Sequence, residues 1–104
     1  MSLVIAIASG LLLLCGCCHA GLLNTIAHVK RAFGAPIVAI AGGTHLANAS
    51  PDHLQRVGQT LLEMESVQHV YLNHCSGYVA FHALLLTLGP HIVRPCPAGT
   101  RLEF

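Results

Sequence analysis

The stretch LVIAIASGLLLL, residues 3–14, decides the fold of this chain. It holds two apolar runs, residues 3–6 and 11–14, on either side of a short segment that contains Ala8-Ser9-Gly10. Two β-prone runs separated by a glycine-containing turn are typical of a β-hairpin. Neither run alternates between apolar and polar residues, so we expect both strands to be covered on both faces.

The same region has a second interpretation, because residues 1–18 contain no charged side chain. Such a stretch is also compatible with a signal peptide or a membrane-spanning helix. A signal peptide, however, begins with a positively charged region, and no Lys or Arg precedes this stretch. We therefore favour buried strands, a cytoplasmic location and no membrane contact. A secreted or anchored protein that uses residues 1–18 as a targeting segment is the alternative.

Beyond the hairpin, strand-like and helix-like segments alternate. Helices are predicted over residues 21–33, from Ser50-Pro51-Asp52 to about residue 64, and over 76–88, and further strands over 37–41, 67–72, 92–93 and 100–104. The second helix has Ser as its N-cap and Pro in its first turn, and its predicted apolar stripe consists of Leu54, Val57, Leu61, Leu62 and Met64. The order β-β-α-β-α-β-α-β-β predicts an α/β fold formed by residues 1–104 as one domain.

The composition is unusually apolar for a chain of 104 residues, with 54% hydrophobic and only 9% charged residues. Soluble domains average about 25% charged residues. Part of this apolar surface is therefore expected to contact a partner, either another copy or a missing domain. The net charge of +1 and the scattered basic residues predict no binding to nucleic acid.

Five cysteines occupy positions 15, 17, 18, 75 and 96. Because the number is odd and three of them are crowded together, we interpret them as reduced thiols of a cytosolic protein, mostly buried near strand ends. Two alternatives stay open. Cys17 and Cys75 could act as soft metal ligands beside His19 and His74, or a cysteine could form a nucleophilic pair with a histidine.

Three of the eight histidines follow predicted strands. His19 comes after the strand at 11–14, His45 after the strand at 37–41, and His74 after the strand at 67–72. In α/β sheets, ligand sites form at the carboxyl ends of the strands. Neutral imidazole is a ligand for Zn, Fe, Ni or Cu, so the three residues are candidate metal ligands. Their alternative role is that of turn or hydrogen-bonded core residues. The other five histidines receive no ligand role.

Three segments carry a family resemblance: residues 16–25 (GCCHAGLLNT), 42–46 (GGTHL) and 74–77 (HCSG). In order and spacing they resemble the metallo-β-lactamase superfamily, in the branch of metal-dependent hydrolases similar to the dihydropterin ribofuranosylaminobenzene phosphate synthase. The resemblance covers nearly the whole chain and implies the C-terminal half of a four-layer αββα sandwich with a dinuclear metal site.

The resemblance also implies roles for the three histidines. His19 matches the third histidine of the first metal site, and His74 matches the last histidine, a ligand of the second metal. His45 stands where most of the superfamily has a bridging aspartate, so it is a ligand or a substrate contact. The implied cofactor is a divalent metal, Zn first and Mn or Fe next.

One family motif, H-x-H-x-D-H, does not occur in these 104 residues; in the superfamily it belongs to the N-terminal half. Because it supplies many of the metal ligands, we expect a metal-dependent hydrolase-like protein with little or no activity alone. The alternative is a non-catalytic half-fold that homodimerises or docks with a separate N-terminal half.

Overall fold

The computed structural model describes residues 2–15, 21–43, 49–73 and 78–95 of the chain. Its elements are β1 (Ser2–Ile7), β2 (Gly10–Cys15), α1 (Leu22–Ala32), β3 (Ile37–Gly42), α2 (Pro51–Glu63), β4 (His69–Leu72), α3 (Tyr78–Leu88) and β5 (Val93–Pro95). This order confirms the α/β class and the first eight predicted elements. The predicted strand at 100–104 lies outside the described residues.

The five strands form one mixed sheet in the order β1-β2-β3-β4-β5. β1 is antiparallel to β2, whereas β2, β3, β4 and β5 are parallel. Each helix connects two neighbouring parallel strands, and such crossovers are almost always right-handed. Because the three crossovers proceed in the same direction across the sheet, they are expected to place their helices on the same face.

The core agrees with this arrangement. Its main cluster joins buried residues of all three helices to one face of the sheet, and its largest fully buried members are Leu13, Leu22, Ile37, Ile40, Leu61, Leu84, Val57, Val70 and Val93. A second cluster consists of strand residues alone: Leu12, Val38, Ala39, Ala41 and Tyr71, with Ile7 and Leu14 packed against them. We call the side of the sheet that carries this second cluster the helix-free face, since none of the described helices contributes to it.

The hairpin forms with the predicted pairing, in which Leu3 lies opposite Leu14 and Ala6 opposite Leu11. Burial on both faces is confirmed for β2, where Leu11, Leu12 and Leu13 are all buried. For β1 this expectation is wrong, because Leu3 and Ile5 are 58% and 37% exposed. β1 is the edge strand, and its apolar composition does not reflect burial by the described part of the chain.

Helix α1 buries Leu22, Ile26 and Val29, whose i, i+4, i+7 spacing defines one face of a helix. Gly21 precedes it and provides no side-chain cap. Helix α3 is apolar around its whole circumference, so its sequence could not show which side is buried. In the structure, Ala80 and Leu84 are buried.

Helix α2 begins as predicted. Ser50 is the N-cap, its Oγ accepts a hydrogen bond from the backbone N–H of His53 at 3.2 Å, and Pro51 occupies the first turn. Leu54, Val57 and Leu61 are buried, but the expected apolar stripe was too wide, because Leu62 is 47% exposed. None of the helices in the described ranges is long and apolar enough to cross a bilayer.

The N-cap provides a test of the local fold. Replacing Ser50 by Ala leaves the His53 N–H without its side-chain acceptor, and we expect the free energy of unfolding to fall by about 1 kcal/mol. Ser50→Asp keeps an acceptor and should unfold within a few tenths of a kcal/mol of the wild type. Urea titrations followed by circular dichroism measure both; equal losses in the two variants would contradict the cap.

Candidate metal site at the carboxyl edge of the sheet

The carboxyl ends of the parallel strands lie level with one another. Cys15, the last residue of β2, pairs with Gly42, the last residue of β3. Gly42 in turn pairs with Leu72 at the end of β4, and Leu72 pairs with Pro95 at the end of β5. The loops that leave these strands therefore start from neighbouring points on one edge of the sheet, about 5 Å apart from strand to strand.

Backbone hydrogen bonds hold this edge together one residue beyond the strands. The Gly43 N–H donates to the Cys15 carbonyl at 3.0 Å, and the Asn73 N–H donates to the Gly42 carbonyl at 3.3 Å. These bonds fix the directions in which the chain continues. We call Cys15, Gly42, Gly43, Leu72 and Asn73 the carboxyl rim.

Gly42 is the residue that the rim depends on most. Its φ of +110° lies in a region that side chains rarely adopt, and a Cβ added to it would collide with the carbonyl oxygen of Cys15. Gly43 is buried beside it. The pair Gly42-Gly43 thus lets β3 end in close contact with β2.

The predicted ligands His19, His45 and His74 lie outside the described residues, and so do Cys17 and Cys75. In the sequence, His19 stands four residues after the end of β2, His45 three residues after the end of β3, and His74 two residues after the end of β4. The structure thus places side by side the strand ends that precede these histidines in the sequence. Within the described ranges no group of three His, Cys, Asp or Glu residues could hold a metal ion.

The remaining histidines divide by position. His28, His82 and His91 are exposed, as expected of residues without a ligand role, and His53 is half-buried at the start of α2. His69 begins β4 and stacks on Tyr71 with ring centroids 5.8 Å apart. His69 and Tyr71 lie on the helix-free face, and the start of β4 is at the opposite end of the strand from the carboxyl rim.

One rim residue, Asn73, was missed by sequence reasoning. Asn73 is half-buried, and its backbone extends the ladder between β3 and β4. Its position directly before His74 was the available signal. Cys15 is 6% exposed and belongs to the main core cluster, which agrees with its interpretation as a small buried residue near a strand end.

This geometry defines the class of protein. It is an α/β protein with a mixed sheet, in which three neighbouring parallel strands end side by side and each is followed in the sequence by a segment that contains a histidine. No family model and no curated protein matches the sequence. Among solved structures, the chain is similar to Tm1679, a metal-dependent hydrolase of the β-lactamase superfamily, with 30% sequence identity and a TM-score of 0.90 over 99% of this chain. The match confirms the resemblance and the fold class.

The chain spans 40% of the length of that structure. The similarity therefore concerns a part of a β-lactamase-superfamily fold, which agrees with the expectation of a half-domain. That the part is the C-terminal half stays a prediction from the sequence motifs.

The carboxyl rim can be tested through its glycine. We expect Gly42→Ala to lower the free energy of unfolding by about 2 kcal/mol or more, because a side chain there combines a strained φ with a backbone collision. Gly34→Ala is the matched control, since nothing lies within 4 Å of a Cβ added at that exposed position. Thermal and urea unfolding of both variants measure the difference; equal stability of the two would contradict the rim geometry.

Proposed function

We propose that this chain is the metal-binding part of a hydrolase-like protein, in which His19, His45 and His74 contribute ligands to a divalent-metal site beside the carboxyl rim. The supporting observation is that three neighbouring parallel strands end level, and each is followed within four residues by a histidine. The similarity to a metal-dependent hydrolase favours the same function.

The lengths of the connecting segments are compatible with a shared site. Two strand spacings separate the end of β2 from the end of β4, about 10 Å. An extended chain advances by at most about 3.5 Å per residue, so His19 can reach about 14 Å from Cys15, His45 about 10 Å from Gly42, and His74 about 7 Å from Leu72. No strand end is too far from the others for three imidazoles to meet.

The donor set favours Zn, with Mn or Fe as alternatives, because imidazole nitrogen suits these ions. Such an ion supplies Lewis-acid activation of a water molecule for attack on a phosphoester or similar bond. The role of this chain is to orient the ligands: the Gly43–Cys15 and Asn73–Gly42 hydrogen bonds fix the backbone from which the histidine-bearing segments depart.

A complete hydrolytic site needs more ligands than these three. Catalytic Zn has three protein ligands for each ion, and by resemblance His19 and His74 belong to different metals. Because the 104 residues contain no H-x-H-x-D-H run, we propose that the chain alone hydrolyses a generic phosphodiester slowly or not at all.

Metal binding by the chain tests this proposal directly. We expect isothermal titration with Zn²⁺ or Mn²⁺ to show binding that weakens at least about tenfold in each of His19→Ala, His45→Ala and His74→Ala, because each removes a ligand. His91→Ala is the control: this exposed histidine precedes β5 and so lies at the opposite, amino-terminal edge of the sheet. Wild-type affinity in all three variants, or an equal loss in His91→Ala, would contradict the site.

The apolar composition supports a second proposal, that the helix-free face docks a separate N-terminal half. The accessible part of this face lies along β1, where Leu3 and Ile5 are exposed beside the half-buried Ile7 and Leu14. Leu12 and Tyr71, in the cluster of this face, are already buried by the chain itself. The chain's 40% share of the matched structure leaves room for a second unit of comparable size. Sheets pack face to face through such apolar surfaces.

Leu14→Lys and Leu62→Lys form a matched pair for this second proposal. The probe is a separately produced N-terminal half of the matched hydrolase, mixed with this chain. We expect light scattering after size-exclusion chromatography to show a one-to-one complex that Leu14→Lys abolishes, because it introduces a charge into an apolar contact. Leu62→Lys, on the exposed side of α2, should preserve it.

Two results would overturn this docking. One is the absence of any complex with the wild-type chain. The other is dissociation of a dimer of the chain itself by Leu14→Lys, which would assign the helix-free face to a second copy instead.

A further inference from the structure

The outer edge of β1 is a surface that the proposed function does not use. β1 is the first strand in the sheet order and pairs only with β2 among the described strands. An edge strand presents a row of backbone N–H and C=O groups to whatever lies beside it.

The hydrogen bonds on the other side of β2 identify those groups. The Leu11 N–H donates to the Pro36 carbonyl at 2.8 Å, and the Cys15 carbonyl accepts from Gly43. The backbone of residues 11, 13 and 15 therefore points towards β3. Since backbone groups alternate in direction along a strand, residues 10, 12 and 14 point towards β1.

This alternation fixes the orientation of β1. Leu3 and Ile5 lie opposite Leu14 and Leu12, so their backbone groups bond to β2. The backbone groups of Val4 and Ala6, one residue out of phase, point outwards from the sheet. They are the groups available to another strand.

β1 also lacks the features with which proteins protect an edge. Its sequence, SLVIAI, contains no charged residue and no proline, and it is six residues long without a bulge in its pairing to β2. Short strands, lysines, prolines and bulges are the usual means of blocking edge-to-edge pairing. In addition, Leu3 and Ile5 leave large apolar side chains exposed.

We propose that β1 pairs antiparallel with β1 of a second copy of this chain, in a register centred on Val4. In that register the outward backbone groups of Val4 bond to those of the second copy's Val4. Leu3 then lies opposite the second copy's Ile5, and Ile5 opposite its Leu3. These two pairs are non-hydrogen-bonded pairs, in which side chains approach most closely.

The strand itself favours a second copy over another partner. The two-fold arrangement places the two exposed side chains of each copy against those of the other, and the neutral strands approach without charge repulsion. Six residues per copy form a small interface, so we expect a weak dimer that dissociates on dilution. The backbone contact lies on the edge of the sheet and is separate from the metal site, while the side chains of Leu3 and Ile5 also border the helix-free face.

A charge-swap experiment tests the register. Sedimentation equilibrium of the full chain should show a dimer that Leu3→Lys/Ile5→Lys weakens at least about a hundredfold, because two like-charged pairs then lie opposite each other. Leu3→Lys/Ile5→Glu places opposite charges in the same two pairs. It should recover most of the affinity at low salt and lose it as the salt concentration rises.

Backbone exchange and a control variant complete the test. Amide hydrogen exchange of Val4 and Ala6 should slow with increasing protein concentration, whereas that of Leu3 and Ile5 should not change. Leu14→Lys, which alters the helix-free face, should leave the dimer intact. A circular dichroism spectrum and melting temperature like those of the wild type establish that each variant is folded.

Three outcomes would overturn the proposal: a wild-type monomer at about a hundred micromolar, equal dissociation of the two double variants, or loss of the dimer in Leu14→Lys. The last result would transfer the contact to the helix-free face. None of these outcomes depends on metal binding, so failure of the edge contact is distinguishable from failure of the proposed function.

Discussion

The level pairing of the parallel strands at Cys15, Gly42 and Leu72 is the constraint on which the candidate site depends. A shift of one residue in either pair would move one loop along the strand axis and reverse which side chains face the helices. Gly42 maintains the alignment because only a residue without Cβ fits against the Cys15 carbonyl at its positive φ. The proposed metal site thus depends on a backbone contact at the end of β3 as well as on its imidazole ligands.

Much of the fold could be predicted because local signals and the core agree. The hairpin followed from two apolar runs and a short turn, and the start of α2 followed from Ser50-Pro51. The strands before each histidine were correct to within two residues. The exposure of β1 could not be predicted, because a strand that is apolar on both faces has the same sequence at an edge as in the centre of a sheet.

The candidate site was predictable in a different sense. The sequence shows that a histidine follows the end of each of three predicted strands. Only parallel pairing of those strands places their ends at the same edge of the sheet, and this pairing is seen in the structure. The contact between Gly42 and Cys15 had no such signal, since the two residues are 27 positions apart and their proximity depends on register. Leu62 shows the same limit in α2: helical spacing gives the width of an apolar stripe only approximately.

The apolar excess of the chain can now be assigned to particular surfaces. The helices cover one face of the sheet and account for the main cluster, while the helix-free face and the edge strand β1 carry further apolar residues. Their geometries differ. A sheet face offers side chains and accepts another packed layer, whereas an edge offers backbone groups and accepts one more strand. Because the two surfaces meet at Leu3 and Ile5, a charge at either position affects both the sheet face and the strand edge. A pair of opposite charges at these two positions restores pairing between strands but leaves the face polar, so it separates the role of the edge from that of the face.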